Sequence, residues 1–280
     1  GVYTLDVTIP GYYAISESVA ISNAATTNMG ALPVVGTFAA GSKQIKIILT
    51  WGNQTKDLDL HLVGPSSGID CQTYNEAAIQ NATAAKFHVS YQQRYCAETG
   101  TSAPNGSTSL AVDDSFEYGP EIINFYDGYA DGTYKVSVYN NDLPRRVGTT
   151  TSGSAVVTGL SSTSDLAAGM HVRGVAGIPA STTIASVDSA TQVTLSANAT
   201  ASGVTLLDFT RNWNVSKARI DVYAGSHFAG GGGLIKTVIS SGSSELRGWK
   251  PLRMLVSGTS LTVDDVTGVG YADFNYGLAW

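Results

Sequence analysis

The chain has 280 residues, room for one large or two modest domains, and only 14% of them are charged. Hydrophobic residues make up 43% and the mean hydropathy is near zero, which excludes a disordered, charge-rich chain and permits a real core. The net charge of −6, with no basic cluster beyond Arg145-Arg146, argues against a nucleic-acid surface, and no apolar run is long enough to span a bilayer.

Residues 1–42 come first as an extended N-terminal segment. Strand periodicity over Val2 to Ile9 puts Tyr3, Leu5, Val7 and Ile9 on one face. The segment continues through Tyr12-Tyr13, Val19 and Ile21 into the polar linker Ser22-Asn23-Ala24-Ala25-Thr26-Thr27-Asn28. A bare apolar strand is an aggregation hazard, so it is expected to be covered by its own domain or by a neighbour's. The first residue is Gly and nothing basic precedes Lys43, as expected of a processed mature chain or a trimmed piece.

Strand signals dominate the rest. Ile45, Ile47, Leu49 and Trp51 alternate with Lys46 and Thr50, broken only by Ile48. The next strand, Leu58 to Gly64, sends its three leucines one way and Asp57, Asp59 and His61 the other. The leucines need a core; the Asp-x-Asp-x-His face is either a wet surface or a binding place. Tyr134, Val136 and Val138, then Ile220 and Val222, then Leu252, Met254 and Val256, repeat short β-type runs closed by turn residues. The expectation is an all-β fold, a β-sandwich (Ig-like or jelly-roll-like) built from residues 43–148 and 209–280.

Residues 149–208 differ in composition. From 149 to 207 there is no Phe, Tyr or Trp, and the only charges are Asp165, Arg173 and Asp188. A structureless loop of that size is improbable in a compact domain. Its short β-type runs, such as Thr183-Ile184-Ala185-Ser186-Val187, predict a small β-domain inserted into a strand connection.

Cys71 and Cys96 lie in one polar loop region and are expected to form a disulfide, worth about 3 kcal/mol. Sequons begin at Asn53, Asn81, Asn105, Asn198 and Asn214. Together they predict a secreted, glycosylated protein of the cell exterior.

An ordered set of motifs carries a resemblance. Leu49-Thr50-Trp51-Gly52 and Asp57-Leu58-Asp59-Leu60-His61-Leu62-Val63-Gly64-Pro65 are followed by Phe87-His88-Val89-Ser90-Tyr91, Leu110-Ala111-Val112-Asp113-Asp114, Tyr118-Gly119-Pro120-Glu121 and Gly132-Thr133-Tyr134. Over residues 43–147 and 209–256 the chain resembles β-sandwich modules of bacterial and archaeal secreted and surface proteins, including the YfaP-like family. The insert, through Val157-Thr158-Gly159-Leu160 and Ser189-Ala190-Thr191-Gln192-Val193-Thr194-Leu195, resembles modules common in phage tail and surface-fibre proteins. Neither resemblance implies catalysis.

Asp57, Asp59 and Asp113 are candidate cation ligands, with Asp114, Glu117 and Glu121 able to complete an oxygen shell for Ca2+. His61 with Asp57 and His88 would suit a transition metal instead. The stronger expectation for this face is polar cross-strand pairing with Lys56, Arg94 or Lys135. No cofactor is required. No serine sits in a Gly-x-Ser-x-Gly elbow, and adjacent acids on a strand face opposite ways, so an enzyme is not expected.

The leading functional expectation is a structural subunit of an extracellular filament or surface assembly. Its partner would be a copy of itself, joined head to tail by donation of the strand carrying Tyr3, Leu5, Val7 and Ile9. The alternatives are an adhesin, Ca2+-dependent or binding surface glycans, and a phage or viral surface protein.

Overall fold

The structure is a computed structural model and describes residues 2–21, 34–52, 55–65, 87–91, 94–96, 108–115, 118–126, 130–141, 144–174, 177–211, 213–241, 247–266 and 271–272. The fold is all-β. In chain order the strands are β1 (Val2–Val7), β2 (Ile15–Ala20), β3 (Ile45–Thr50), β4 (Leu58–Gly64), β5 (Phe87–Val89), β6 (Tyr95–Cys96), β7 (Thr108–Val112), β8 (Glu121–Phe125), β9 (Gly132–Asn140) and β10 (Arg145–Thr150). They continue with β11 (Val156–Val157), β12 (His171–Gly174), β13 (Ile184–Ser189), β14 (Gln192–Leu195) and β15 (Gly203–Thr210). After one helical turn, α1 (Trp213–Ser216), come β16 (Arg219–Ala224), β17 (Gly233–Ile239), β18 (Gly248–Ser257), β19 (Ser260–Asp265) and β20 (Tyr271–Ala272).

Two six-stranded sheets form the body. The first has the order β17-β16-β3-β8-β7-β6; the second runs β19-β18-β9-β4-β5, with β20 also paired to β18. Their facing residues make one core. Ile45, Ile47 and Leu49 of β3 meet Leu58, Leu60 and Leu62 of β4, Val136 and Val138 of β9, and Leu252 and Met254 of β18. Alternate residues of each strand enter this layer because side chains change face at every step. Trp213 and Trp249, both fully buried, pack with ring centroids 5.7 Å apart.

Glycines set two close approaches. A Cβ on Gly64 would stand 2.2 Å from the Tyr134 ring, so the Gly64-Pro65 and Gly132-Thr133-Tyr134 motifs meet in space. Gly119, at φ +73, turns the chain beside Trp51, whose ring would lie 2.7 Å from an added Cβ. The next residues are the cis-linked Pro120 and then Glu121.

The insert has its own sheets, β10-β15-β12 and β11-β14-β13, and its own core of Val157, Leu160, Met170, Val172, Ile184, Val193, Leu195, Leu207 and Phe209. Strands β10 and β15 pair from Arg145↔Asp208 to Thr150↔Gly203, so its sheet and core reach a few residues beyond 149–208 at each end. Phe209 N–H donates to the Pro144 carbonyl at 3.0 Å, closing the neck.

The N-terminal segment lies over the outer face of the first sheet. Strand β1 pairs with β2 within the chain, in the register Tyr3↔Val19, Leu5↔Glu17, Val7↔Ile15. Glu17 forms an ion pair with Arg219 of β16, and Tyr13 stacks on Tyr223 at 5.5 Å. This explains the interruption at Ile48. It faces outward, yet it is 1% exposed because Val35, Tyr223, Tyr13 and Phe38 cover it.

Candidate functional site

Strand β4 divides its side chains as its alternation predicts, with Leu58, Leu60 and Leu62 wholly inside the core. Its other face is not wet. Asp59 is 4% exposed and His61 0%. Register places Tyr139 opposite Asp59, Ser137 opposite His61 and His88 opposite Val63, so all share this face. The Arg247 guanidinium lies 4.2 Å above the Tyr139 ring.

His61 Nδ1 lies 3.1 Å from His88 Nε2, the rings stack at 5.4 Å, and Tyr91 meets His61 edge-on. One of the two nitrogens donates and the other accepts. Burial holds both imidazoles neutral: it pushes His61 well below the ordinary histidine range, with His88 adding to the effect, and pulls His88 down to about 4.

Glu121 reaches this region from the other sheet. It sits opposite Leu49 on the inner face of the first sheet and is fully buried. Its Oε2 accepts the Leu60 N–H at 2.5 Å, a donor left open because β5 pairs with β4 only from Leu62 onward. Its side chain is also hydrogen-bonded to Asp113, and the Asp59 Oδ2 is buried with no hydrogen-bond partner among the described residues. Burial raises the Glu121 carboxyl to about 10, opposed by the Leu60 N–H and reinforced by Asp59 and Asp113. Burial likewise raises Asp59 to about 8, with Asp57 and Asp113 adding and Arg247 opposing.

The structure thus brings Asp57, Asp113 and Glu121 within electrostatic reach of Asp59, from two sheets. Asp57 precedes β4, and its Oδ2 accepts from Asn141 Nδ2 at 3.1 Å. Asp113 follows β7 at the surface, where Arg94 approaches it at 3.7 Å. Among the described residues no three His, Cys, Asp or Glu side chains stand as a ready-made metal shell. Asp114 lies next to Asp113 in sequence, and Glu117 is outside the described residues. Sequence reading placed Glu121 at the margin of this set. The turn Tyr118-Gly119-Pro120 before it was the available signal, since it fixes where the following strand enters the core.

A second feature lies at the opposite edge. β17 and β19 end their sheets, and between them Ala224, Phe228, Ile235, Leu261 and Val263, together with Gly230 and Gly231, line a groove of about 150 Å³. On β1, Val2 is 75%, Tyr3 58% and Leu5 40% exposed; Ile9 is also exposed and Val7 is half-buried. Only β2 pairs with β1 among the described strands.

Cys71 lies outside the described residues, and of Cys96 only its place in β6 is described. Asn53, Asn81 and Asn105 also lie outside; Asn198 is exposed on the insert, and Asn214 falls in α1. No helix among the described residues is long and apolar enough to cross a membrane. No family model, no curated protein and no solved structure matches the chain.

Proposed function

We propose that the protein is a structural subunit of an extracellular filament or cell-surface assembly, built by giving its N-terminal strand to a neighbouring copy. The observation that carries this reading is the presence on one chain of an exposed apolar strand and a groove lined in part by apolar side chains. β1 presents Tyr3 and Leu5 to solvent, and the β17/β19 groove leaves Ile235, Leu261 and Val263 half-covered. Strand β2 anchors the hairpin on its own body through Ile15, Val19 and the Glu17–Arg219 ion pair, while among the described strands nothing pairs with the outer edge of β1. A neighbour's edge strand can pair with that edge, and alternate side chains of β1 then lie over the groove. Such a contact joins different surfaces on the two copies, so it propagates rather than closes.

Two variants test this by sedimentation and electron microscopy. Removing residues 1–21 should leave folded monomers that form no filaments. Leu5→Lys sits at an exposed position, so it should leave the monomer's melt unchanged and abolish assembly. Filaments formed by either variant at the wild-type level would refute strand donation.

A further inference from the structure

We propose that the groove between β17 and β19 is a pocket for one aromatic ring, and that its occupant is Tyr3 of a second copy of the chain. The proposal rests on strand donation and names the side chain that anchors it.

The size of the groove sets the class of guest. Its volume is about 150 Å³. A cavity of about that volume, lined by aliphatic and aromatic side chains, accepts a benzene ring. Phe228 and Ala224 are buried, while Ile235, Leu261 and Val263 are partly buried and pack against the core of the body. At Gly230 and Gly231 the lining is bare backbone. Gly230 stands at φ +77, and a Cβ on Gly231 would lie 2.2 Å from the Gly225 carbonyl oxygen, so neither position takes a side chain without strain. Apolar side chains beside peptide groups suit a guest with an apolar body and a polar tip, which is a phenol.

Among the described residues two aromatic side chains are exposed, Tyr3 at 58% and Tyr12 at 45%. Tyr12 is tied into its own chain: its N–H donates to the Ile9 carbonyl at 3.0 Å, and it bridges to Gly36. Tyr3 lies on β1, whose outer edge no other described strand pairs with. Its register opposite Val19 leaves it in solvent rather than in the groove of its own chain, so the groove that takes it belongs to a second copy. Charge agrees with that occupant. Lys236 follows Ile235 on β17, and Asp6 lies on β1 with Tyr3. Neither forms an ion pair with a described residue, so each is available to the other across the contact.

The test has two parts. In the first, p-cresol, the tyrosine side chain as a free molecule, is titrated into the full chain below its assembly concentration. The methyl NMR signals of Ile235, Leu261 and Val263 should shift, and no shift at about 10 mM p-cresol would overturn the proposal. In the second, sedimentation gives the concentration needed for assembly. Tyr3→Ala should raise it about tenfold or more, while Tyr3→Phe, which keeps the ring, should stay within about threefold of wild type. If Tyr3→Ala assembles at the wild-type concentration and the 1–21 deletion does not assemble, the Tyr3 anchor is wrong and strand donation stands. Filaments formed by the deletion would remove both, as would a wild-type chain that stays monomeric at every concentration.

Discussion

The body and the insert are both antiparallel β-structures, but they treat carboxyl groups in opposite ways. The insert keeps its acids at the surface: Asp208 pairs with Arg145 at 2.7 Å, Asp165 with Arg146 at 2.8 Å, and exposed Asp188 accepts from Ser186, Gln192 and Thr194 across the β13–β14 hairpin. The body instead buries Asp59, His61, His88 and Glu121. The insert shows that a small β-domain of this chain needs no buried carboxyl to pack. The buried carboxyls of the body therefore carry a desolvation cost that the insert avoids.

The comparison breaks most visibly if the two cores are one cooperative unit. Phe209 is fully buried in the insert's core, and Phe209→Ala should cost about 3–5 kcal/mol there. Calorimetry should show the insert's transition moving down while the body's stays in place. A single transition that shifts as a whole would erase the distinction.

The next largest effect is on pH dependence. Asp59 and Glu121 are protonated in the folded body at neutral pH but ionised once unfolded, since their ordinary values are 3.8 and 4.5. Their contribution is fully present below those values and is lost as pH rises through about 8 and about 10. The histidines act with the opposite sign: neutral when folded, they lose stability as pH falls from 6.5 toward the His88 value of about 4. Between about 4.5 and 6.5 the two effects cancel, so the body's stability should show a plateau there and fall on either side. The insert's transition should stay nearly level from about pH 5 to 9. Asp59→Asn should flatten the alkaline fall of the body. Chemical unfolding at a series of pH values, followed by tryptophan fluorescence, reads the body alone, because residues 149–207 contain no Trp.

The smallest effect sharpens the same contrast. Arg145 is 60% exposed in its pair with Asp208, and Arg145→Ala should cost only about 0–1 kcal/mol in a denaturant melt. A much larger loss would mean that the neck depends on this ion pair after all.

Much of the fold was legible in the chain. Alternation identified the inward leucines of β4, and the change of composition marked the insert. The polar site was less legible. Asp57, Asp59 and Asp113 could be grouped by sequence, but their relation to Glu121 depends on how β8 crosses from the other sheet. Ile48 was unreadable for a similar reason: its cover comes from Tyr13, Val35 and Phe38, which alternation within β3 cannot reveal.

Sequence alone determined which residues share a face, because a strand's period of two is a local property of the backbone. Tertiary structure decided what each face meets. It buried the Asp-x-Asp-x-His face, folded β1 back on β2, and set a fully enclosed Glu121 against the backbone of the opposite sheet. Those outcomes depend on contacts between segments far apart in the chain: Glu121 lies 61 residues from Leu60, and Glu17 lies 202 from Arg219. No local pattern encodes such a separation.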